Sequence, residues 1–493
     1  MSMSTDQQPI RHPDRLFIGG EWVRPSSSAR IDVRDSATEE VFLSVAAAQV
    51  EDVDRAVAAA RKAFDDGPWP RMTHKERAVW LNKIADAWTK RADAFAQTWT
   101  RESGVLYSIA KRAVLGPANT FRFHAGLADT FAWEEPHATP DGQRALLVRE
   151  PVGVVGAIIP WNATNALVAH KTAPALIAGC AVVLKASPEA PASPYLLAEI
   201  CEEIGLPEGV FNVITADREV SERLVRNPGV DKISFTGSTA AGRRIGSICG
   251  ERIARCTLEL GGKSPAIILD DYDLDKAAAS IAQSSRFLTG QVCSSLTRLI
   301  VGRSRHDAFV DALASRFGKL KVGDPFDAAS EMGPLAMARQ RDRVESYIAK
   351  GRAEGARLAA GGGRPAHLGR GYFIEPTVFA NVDNGSTIAR EEIFGPVLSV
   401  IPADSEEQAI EIANDTIYGL NSSVFTNDPE RAYAVGRRIR AGTVGHNSFK
   451  TDFSIAFGGF KQSGIGREGG REGMYPYLEA KTIILDQRAP KAG

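Results

Sequence analysis

The chain has 493 residues, enough for roughly three domains or lobes. Hydrophobic residues make up 44% of it and charged residues 24%, which excludes a disordered or a collagen-like protein and is typical of a soluble globular chain. The 59 Lys and Arg residues nearly balance the 60 Asp and Glu residues, and the resulting net charge of −1 supports neither nucleic-acid binding nor a membrane-surface role.

The first residues, Met1 to Arg15, are polar and contain two prolines, which predicts a disordered tail rather than a signal peptide. No apolar run reaches about 18 residues, so we expect no membrane span. The sparse cysteines contain no C-x-x-C pair, which favours free thiols in the cytoplasm over a disulfide framework and predicts no metal site. These cysteines are Cys180, Cys201, Cys249, Cys256 and Cys293.

Apolar residues at helical spacing predict helices over Ala46–Phe64 and Lys75–Arg101. From Pro151 onward, short apolar strands alternate with helices, which predicts a parallel, doubly wound sheet that binds ligands at the carboxyl ends of its strands. The predicted strands are Val152–Ile159, Ala181–Lys185, Val210–Ile214, Asp231–Phe235 and Cys256–Leu260, and the helices between them are Ala166–Ala178, Tyr195–Ile204, Glu219–Arg226 and Thr239–Cys249.

A second alternating series predicts a second α/β domain. Its helices are Asp275–Phe287, His306–Phe317, Val344–Glu354, Glu406–Asn414 and Pro429–Arg440, and its strands are Arg298–Val301 and Val397–Ile401. Two strands, Ala145–Glu150 and Ala480–Asp486, fit neither series and predict a small third unit. Because unpaired strand edges are a liability in a monomer, we expect these two strands to pair across a subunit interface.

Three turns carry chemistry. Phe235 to Ser238 closes a strand and opens a helix, a place where a phosphate can approach, although a tight turn explains the pattern about as well. Cys293 lies in a polar loop and is a candidate nucleophile, whereas the other cysteines are better explained as small buried side chains. Glu259 ends a strand beside two glycines, where it is either a solvated strand end or a general base. No histidine lies in a comparable loop, which leaves a Cys–Glu pair.

In this combination the chain resembles the aldehyde dehydrogenase superfamily from about Leu16 to Ile484. The matching motifs follow the family's order: Pro160-Trp161-Asn162, Lys185, FTGS at Phe235–Ser238, ELGGKSP at Glu259–Pro265, GQVC at Gly290–Cys293, EEIFGPV at Glu391–Val397 and FGGFKQSGIGRE at Phe457–Glu468. The resemblance implies a Rossmann-like cofactor domain (residues 1–130 and 150–261), a second α/β catalytic domain (262–478) and a small β oligomerisation unit (131–149 and 479–493). It also implies a homodimer or homotetramer that acts on a small-molecule aldehyde.

The resemblance implies NAD(P)-dependent oxidation of an aldehyde to the carboxylic acid. Cys293 would form a thiohemiacetal and then a thioester, with the Asn162 amide and the Cys293 backbone N–H as the oxyanion hole. Glu259 would activate the water that hydrolyses the thioester, and its presence favours hydrolysis over transfer to coenzyme A. Lys171 and Glu468 match the family's proton-relay pair.

For the cofactor, the resemblance implies that Ser238 and the following helix hold the pyrophosphate and that Lys185 reaches the adenosine ribose. Glu392 would bind the nicotinamide ribose. The full implied set is Ile158, Pro160, Trp161, Lys185, Ser187, Gly237, Ser238, Leu260, Glu392 and Phe394. NAD is preferred and NADP stays open, because Pro188 stands where strictly NAD-using members often carry a repelling Glu, and Glu189 follows it.

The substrate positions implied by the resemblance are Gly116, Ala163, His170, Leu288 and Phe453, with Phe457 nearby. Small residues at Gly116 and Ala163 predict a wide tunnel that favours medium-chain, aromatic or terpenoid aldehydes over acetaldehyde, unless the His170 imidazole restores a constriction. Two alternatives are a cofactor-independent cysteine esterase or thioesterase on the same site and an inactive relative, and the intact Cys293, Glu259 and Asn162 argue against the second.

Overall fold

The computed structural model describes residues 9–488, and strands alternate with helices along most of this range. The strands are β1 (Leu16–Ile18), β2 (Glu21–Val23), β3 (Arg30–Arg34), β4 (Val41–Ala46), β5 (Glu134–Ala138), β6 (Gln143–Pro151), β7 (Val154–Ile158), β8 (Ala181–Ala186), β9 (Phe211–Thr215), β10 (Lys232–Thr236), β11 (Arg255–Glu259), β12 (Ser264–Ile268), β13 (Leu296–Gly302), β14 (Arg357–Ala360), β15 (Thr377–Ala380), β16 (Val397–Ala403), β17 (Asn421–Phe425), β18 (Thr443–His446), β19 (Gly464–Ile465) and β20 (Leu478–Arg488). The α-helices are α1 (Val50–Asp65), α2 (His74–Lys90), α3 (Ala92–Ser103), α4 (Tyr107–Ala113), α5 (Gly116–Thr130), α6 (Thr164–Ala178), α7 (Ala192–Ile204), α8 (Arg218–Arg226), α9 (Thr239–Arg252), α10 (Leu274–Ser285), α11 (His306–Phe317), α12 (Ala338–Ala353), α13 (Thr387–Arg390), α14 (Glu406–Asn414) and α15 (Pro429–Gly436). In residues 9–488, no helix is both long enough and apolar enough to span a bilayer.

The first sheet has eight strands in the order β19-β11-β10-β7-β8-β9-β1-β2. Its five central strands are parallel, as the sequence predicts, and this confirms the doubly wound α/β fold. The chain runs from β7 to β9 in one direction and from β10 to β11 in the other, so the strand order reverses between β7 and β10. A crevice at the carboxyl ends of these two strands is where such sheets bind ligands.

The second sheet has seven strands in the order β14-β15-β16-β13-β12-β17-β18, and only the edge strand β14 runs antiparallel to its neighbour. Buried apolar side chains pack on both faces of this sheet. Its strand β12 follows β11 of the first sheet after a short turn of two glycines, Gly261 and Gly262. That turn brings the facing ends of the two sheets together.

The third sheet is antiparallel and has the order β20-β6-β5. Its strands β6 and β20 contain the two segments predicted to pair across a subunit interface. They pair with each other within the chain, from Leu478 opposite Pro151 to Arg488 opposite Gln143, which confirms the predicted small third unit, whereas pairing across a subunit interface stays a prediction. Within residues 9–488 the other edge of β20 has no strand beside it, and the side chains of Ile483 and Ile484 on this strand are 37% and 56% exposed.

The N-terminal region differs from the prediction. Ile10 is buried and the backbone N–H of Arg11 donates to Glu199 Oε1 at 2.6 Å, so the predicted disordered tail is wrong for residues 9–15, while residues 1–8 lie outside the described range. Residues 41–46 form strand β4, which is why α1 begins only at Val50. The helix predicted over 75–101 is divided into α2 and α3 at Arg91.

Candidate active site

A cavity of about 480 Å³ lies between the first two sheets, at the carboxyl ends of β7, β10 and β11. It brings together four of the five predicted catalytic residues, Cys293, Glu259, Asn162 and Glu468. The other lining residues are Trp99, Ala113, Pro160, Trp161, Ala163, Ala166, Leu167, Thr236, Gly237, Ser238, Leu260, Gly261, Phe287, Leu288, Val292, Ser294, Gln340, Arg343, Glu392, Phe394, Phe449, Thr451, Phe453 and Phe457.

The loop before Cys293 is held in an unusual conformation. Leu288, Thr289 and Gly290 all have left-handed backbone angles, with φ of 48°, 54° and 72°. A Cβ atom on Gly290 would lie 2.5 Å from the backbone of Gly395, so this position requires glycine. The buried Gln291 side chain donates to the carbonyl of Leu288 at 2.8 Å, and its oxygen accepts from the backbone N–H of Ala336 at 2.9 Å. These contacts fix the loop that carries the thiol.

The surroundings of Cys293 disfavour its thiolate form. Burial, together with the carboxylates of Glu392 and Glu259, raises the pKa of Cys293 to about 12. The thiolate is the reactive nucleophile, so the thiol proton must leave before attack.

Asn162 is positioned from both ends. Its backbone carbonyl accepts from Trp99 Nε1 at 2.7 Å, and its side-chain Nδ2 donates to the carbonyl of Gln291 at 2.9 Å. A side-chain amide has two N–H donors, so the bond to the Cys293 loop uses one and leaves the second for a ligand in the cavity. The arrangement fits a hydrogen-bond donor aimed at an oxyanion formed near Cys293.

Glu259 is a buried carboxylate at the end of β11, and within the described range neither of its oxygens has a hydrogen-bond partner. Burial and the neighbouring carboxylate of Glu468 raise the pKa of Glu259 well above its ordinary value, while Lys171 acts in the opposite direction. A carboxylate with a raised pKa is a stronger base near neutral pH, which suits proton abstraction from water.

Lys171 and Glu468 form an ion pair behind this carboxylate. Lys171 Nζ, on α6, donates to Glu468 Oε1 at 2.6 Å and to Ser234 Oγ at 3.2 Å, and both charged side chains are fully buried. The hydroxyls of Tyr477 and Ser234 lie 3.2 Å apart. The polar groups therefore continue from the cavity into the protein, as a proton relay requires.

The glycine turn between β11 and β12 packs against Glu392 and against the loop that carries Cys293. A Cβ atom on Gly261 would lie 2.3 Å from Glu392 Oε2, and one on Gly262 would lie 2.3 Å from the carbonyl oxygen of Cys293. The backbone N–H of Gly262 donates to Glu392 Oε1 at 3.1 Å. Burial raises the pKa of Glu392 to about 7. Only residues without side chains allow the thiol loop and Glu392 to approach so closely.

A groove of about 520 Å³ adjoins this cavity at the carboxyl ends of β8 and β9, and Trp161 lines both. The ring of Phe394 meets that of Trp161 edge to face, with centroids 5.3 Å apart. Lys185, the penultimate residue of β8, lines the groove, and burial lowers its pKa to about 8.

The beginning of α9 fits a phosphate group. Ser238 caps the helix and accepts from the N–H of Ala241 at 3.3 Å, and the preceding Gly237 has no side chain. A Cβ atom on Gly237 would lie 2.5 Å from the ring of Phe235. The open backbone at a helix N-terminus is the usual setting for a pyrophosphate.

Each residue that the sequence assigned to the cofactor lines one of these two spaces. Ile158, Lys185 and Ser187 line the groove, and Trp161 lines both spaces. The rest line the cavity: Pro160, Gly237, Ser238, Leu260, Glu392 and Phe394.

The predicted substrate positions divide into two groups. Ala163, Leu288, Phe453 and Phe457 line the cavity. Gly116 does not: it is exposed at the start of α5, and Ala113 at the end of α4 lines the cavity instead.

His170 does not line the cavity either. Its buried ring stacks on that of Phe453 with centroids 4.1 Å apart, and Phe453 stacks in turn on Phe457 at 4.3 Å. The His170 imidazole therefore does not constrict the cavity, and the ring of Phe453 faces the cavity in its place.

Several lining residues were not predicted from the sequence. Ala166 and Leu167 lie about one helical turn after Ala163 on α6, so helical spacing from Ala163 was a usable signal. Phe449 and Thr451 lie in an irregular loop and carry no local sequence signal.

The comparisons with known proteins agree with this geometry. A model of the aldehyde dehydrogenase family matches residues 22–483. Over 471 residues the chain is 46% identical to a geranial dehydrogenase from Castellaniella defragrans, covering 95% of this chain and 98% of that protein. A crystal structure of an aldehyde dehydrogenase from Mycobacterium tuberculosis complexed with NAD+ superposes with a TM-score of 0.94 at 47% identity, over 96% of this chain and 98% of that chain. A mutant of aldehyde dehydrogenase C from Pseudomonas syringae, in complex with NAD+ and octanal, superposes with a TM-score of 0.92 at 39% identity, over 96% of this chain and 97% of that chain. The chain therefore belongs to the aldehyde dehydrogenase family.

Proposed function

We propose that the protein oxidises an aldehyde to the carboxylic acid with NAD as cofactor, through a thiohemiacetal and then a thioester on Cys293 that water hydrolyses with Glu259 as the base. The observation that carries the proposal is one cavity lined by Cys293, Asn162 and Glu259 and joined at Trp161 to a groove at the carboxyl ends of β8 and β9. When bound, NAD supplies the hydride acceptor. Solved relatives in complex with NAD+ support this choice of cofactor.

Cys293 releases its proton to water in the cavity, and the residues around the thiolate then stabilise the oxyanion that forms when it attacks the aldehyde carbon. The free N–H of the Asn162 amide and the backbone N–H of Cys293 are the two donors. Each such donor contributes about 3 kcal/mol of transition-state stabilisation in enzymes whose reaction passes through an oxyanion.

Glu259 then takes a proton from the water that attacks the thioester. Its two oxygens are without partners among residues 9–488, so both are available to a water molecule. The Lys171–Glu468 pair lies beside it as the proposed relay pair, and Glu468, which also lines the cavity, is placed to accept that proton.

The walls of the cavity favour an apolar aldehyde tail. Ala163, which immediately precedes α6, and Ala166 and Leu167 on α6 form one side, and the stacked rings of Phe453 and Phe457 form another. Burying a tail against such walls contributes about 25 cal/mol per Å². We therefore propose medium-chain, aromatic or terpenoid aldehydes as substrates, in line with a geranial dehydrogenase relative and a relative solved with octanal.

The same proposal covers the organisation of the protein. Residues 1–130 and 150–261 would hold the cofactor, 262–478 would supply the thiol, and 131–149 with 479–493 would join subunits of a cytoplasmic homodimer or homotetramer. The open edge of β20 and its exposed isoleucines support the last point, although residues 489–493 lie outside the described range.

Replacement of the thiol tests the proposal. Cys293→Ala is expected to abolish NADH formation from octanal and NAD, measured by absorbance, while the variant still binds NAD. Cys256→Ala, which removes another partly exposed thiol, is the matched control and should keep its activity. Normal turnover by Cys293→Ala would contradict the mechanism. Ester hydrolysis without any NAD-dependent oxidation would instead favour a cysteine esterase.

A further inference from the structure

We propose that Cys249 and Cys256 form a peroxide-sensitive dithiol, in which a hydroperoxide oxidises Cys256 and Cys249 then closes a disulfide with it. This pair lies where α9 ends and β11 begins, whereas the cavity that holds Cys293 lies at the carboxyl end of β11. The modification goes beyond the proposed function and does not depend on it.

The packing of α9 against β11 places the two cysteines opposite each other. A Cβ atom on Gly246 of α9 would lie 3.6 Å from Leu258 Cδ1 of β11. Cys249 follows Gly246 by three residues and continues the same face of the helix. Cys256 precedes Leu258 by two residues and therefore points to the same face of the strand. The last turn of α9 thus directs one thiol at the other.

A tight turn holds the end of α9 against the start of β11. The backbone N–H of Ala254 donates to the carbonyl of Cys249 at 2.9 Å, and that of Ile253 donates to the carbonyl of Gly250 at 3.2 Å. Ile253 has the left-handed conformation of a helix C-terminus, with φ of 56°. Across this turn the thiol of Cys249 forms a hydrogen bond with that of Cys256. The two sulfurs are therefore in contact before any oxidation.

The two thiols differ in exposure and in acidity. Cys249 is buried, whereas Cys256 is partly exposed. Strand β19 pairs with β11 only at Leu258 and Glu259, so within residues 9–488 the first residues of β11 have no strand on that edge. The hydrogen bond from Cys249, together with the charge of Lys232, lowers the pKa of Cys256 against the effect of burial, and the same hydrogen bond raises the pKa of Cys249. Cys256 is thus the attacking thiol and Cys249 the resolving thiol.

One hydroperoxide is consumed for each disulfide. The Cys256 thiolate attacks the O–O bond and takes one oxygen as a sulfenic acid, while the other oxygen leaves and is protonated to an alcohol, or to water when the oxidant is hydrogen peroxide. The sulfur of Cys249 then attacks the sulfenic sulfur, the S–S bond forms, and the hydroxyl leaves as water with the proton of the Cys249 thiol. The peroxide gains the two electrons that the two thiols lose.

Peptide mapping by mass spectrometry tests the proposal on the full-length protein. Trypsin cleaves after Arg252 and Arg255, so the two cysteines lie on separate peptides, 245–252 and 256–263, and only a disulfide joins them. Wild type and Cys293→Ala, treated with hydrogen peroxide and then unfolded and alkylated, should both contain the joined peptides. Dithiothreitol should separate them again.

Replacement of the resolving thiol tests the order of the two steps. Cys249→Ser keeps a hydrogen-bond donor of similar size, and in this variant the joined peptides should be lost while dimedone labels Cys256 as the sulfenic acid. Cys256→Ala should leave Cys249 reduced, which keeps the order testable even if Cys249→Ser lowers the melting temperature. Cys201→Ala is the matched control, because it also removes a buried thiol, and it should leave the joined peptides unchanged.

The inference is overturned if peroxide yields no joined peptides in wild type, if dimedone does not label Cys256 in Cys249→Ser, or if Cys249 is oxidised in Cys256→Ala. Failure of the proposed function looks different, because the joined peptides would still form while the untreated protein produced no NADH from an aldehyde and NAD.

Discussion

The ion pair between Lys171 and Glu468 provides the sharpest test of the site's electrostatics. The side chains are 0% and 1% exposed and their charged atoms lie 2.6 Å apart. At an effective dielectric constant of about 20, their attraction is about 6 kcal/mol, most of which offsets the desolvation of both groups. Lys171→Met leaves Glu468 charged, buried and beside Glu259, so we predict a loss of about 3–5 kcal/mol in the free energy of unfolding.

Removing both charges should restore most of that loss. In Lys171→Met/Glu468→Gln no uncompensated charge remains, and the double variant should be more stable than the sum of the single effects predicts, by about 2–3 kcal/mol. Urea unfolding followed by tryptophan fluorescence, at one fixed protein concentration, measures the free energy of unfolding of wild type, the two single variants and the double variant.

Lys232 offers a matched control for this cycle. It is equally buried, but Lys232 Nζ donates to Thr257 Oγ1 at 2.6 Å and pairs with no carboxylate in the described part of the chain. Lys232→Met should therefore cost only about 1 kcal/mol. Equal losses for the two lysine variants, or additive effects of Lys171→Met and Glu468→Gln, would refute the reasoning.

Three further predictions concern the reaction and the assembly. Glu259→Gln should slow deacylation by about 10²–10⁴-fold and accumulate a thioester visible in intact-protein mass spectra. Because the base acts only when ionised, wild-type deacylation should rise with pH through the raised pKa of Glu259, whereas the variant should show no such rise. Ala163→Phe should lower kcat/KM for octanal relative to acetaldehyde by about tenfold or more, since the ring fills part of the cavity, and unchanged ratios in steady-state assays would count against it. Light scattering at micromolar concentration should report a dimer or tetramer, and a monomer would remove the role assigned to the edge of β20.

The sequence predicts most of the first sheet and little of the second. Strands β7 to β10 are short apolar runs bounded by glycine or polar turns, so their pattern is readable. Strand β17, with the sequence NSSVF, is fully buried although three of its residues are polar. Ser422 and Ser423 bury their hydroxyls by donating to carbonyls around β18, at distances of 3.1 and 3.0–3.3 Å. Hydrophobic periodicity does not detect such a strand.

The candidate site shows the same division. Cys293 and Glu259 were identified because turns and strand ends fix the backbone around them. Gly116 and His170 rest on their position in the sequence alone. Whether residue 116 faces the cavity depends on where α4 ends and α5 begins. Whether His170 faces it depends on the loop that stacks Phe453 over its ring. No local pattern in the sequence encodes those contacts.

Residues 464–488 complete three separate parts of the structure, and this bears on how the protein is made. Strand β19 closes one edge of the first sheet, Glu468 completes the buried ion pair, and β20 completes the third sheet. Glu468 follows Lys171 by 297 residues, so at about 5–20 residues per second it is synthesised about 15–60 s later. Until then, Lys171 in the nascent chain lacks its ion-pair partner Glu468. A chain interrupted before Gly464 would lack β19, β20 and the carboxylate of Glu468, and its two open sheet edges would make it a substrate for chaperones or proteases.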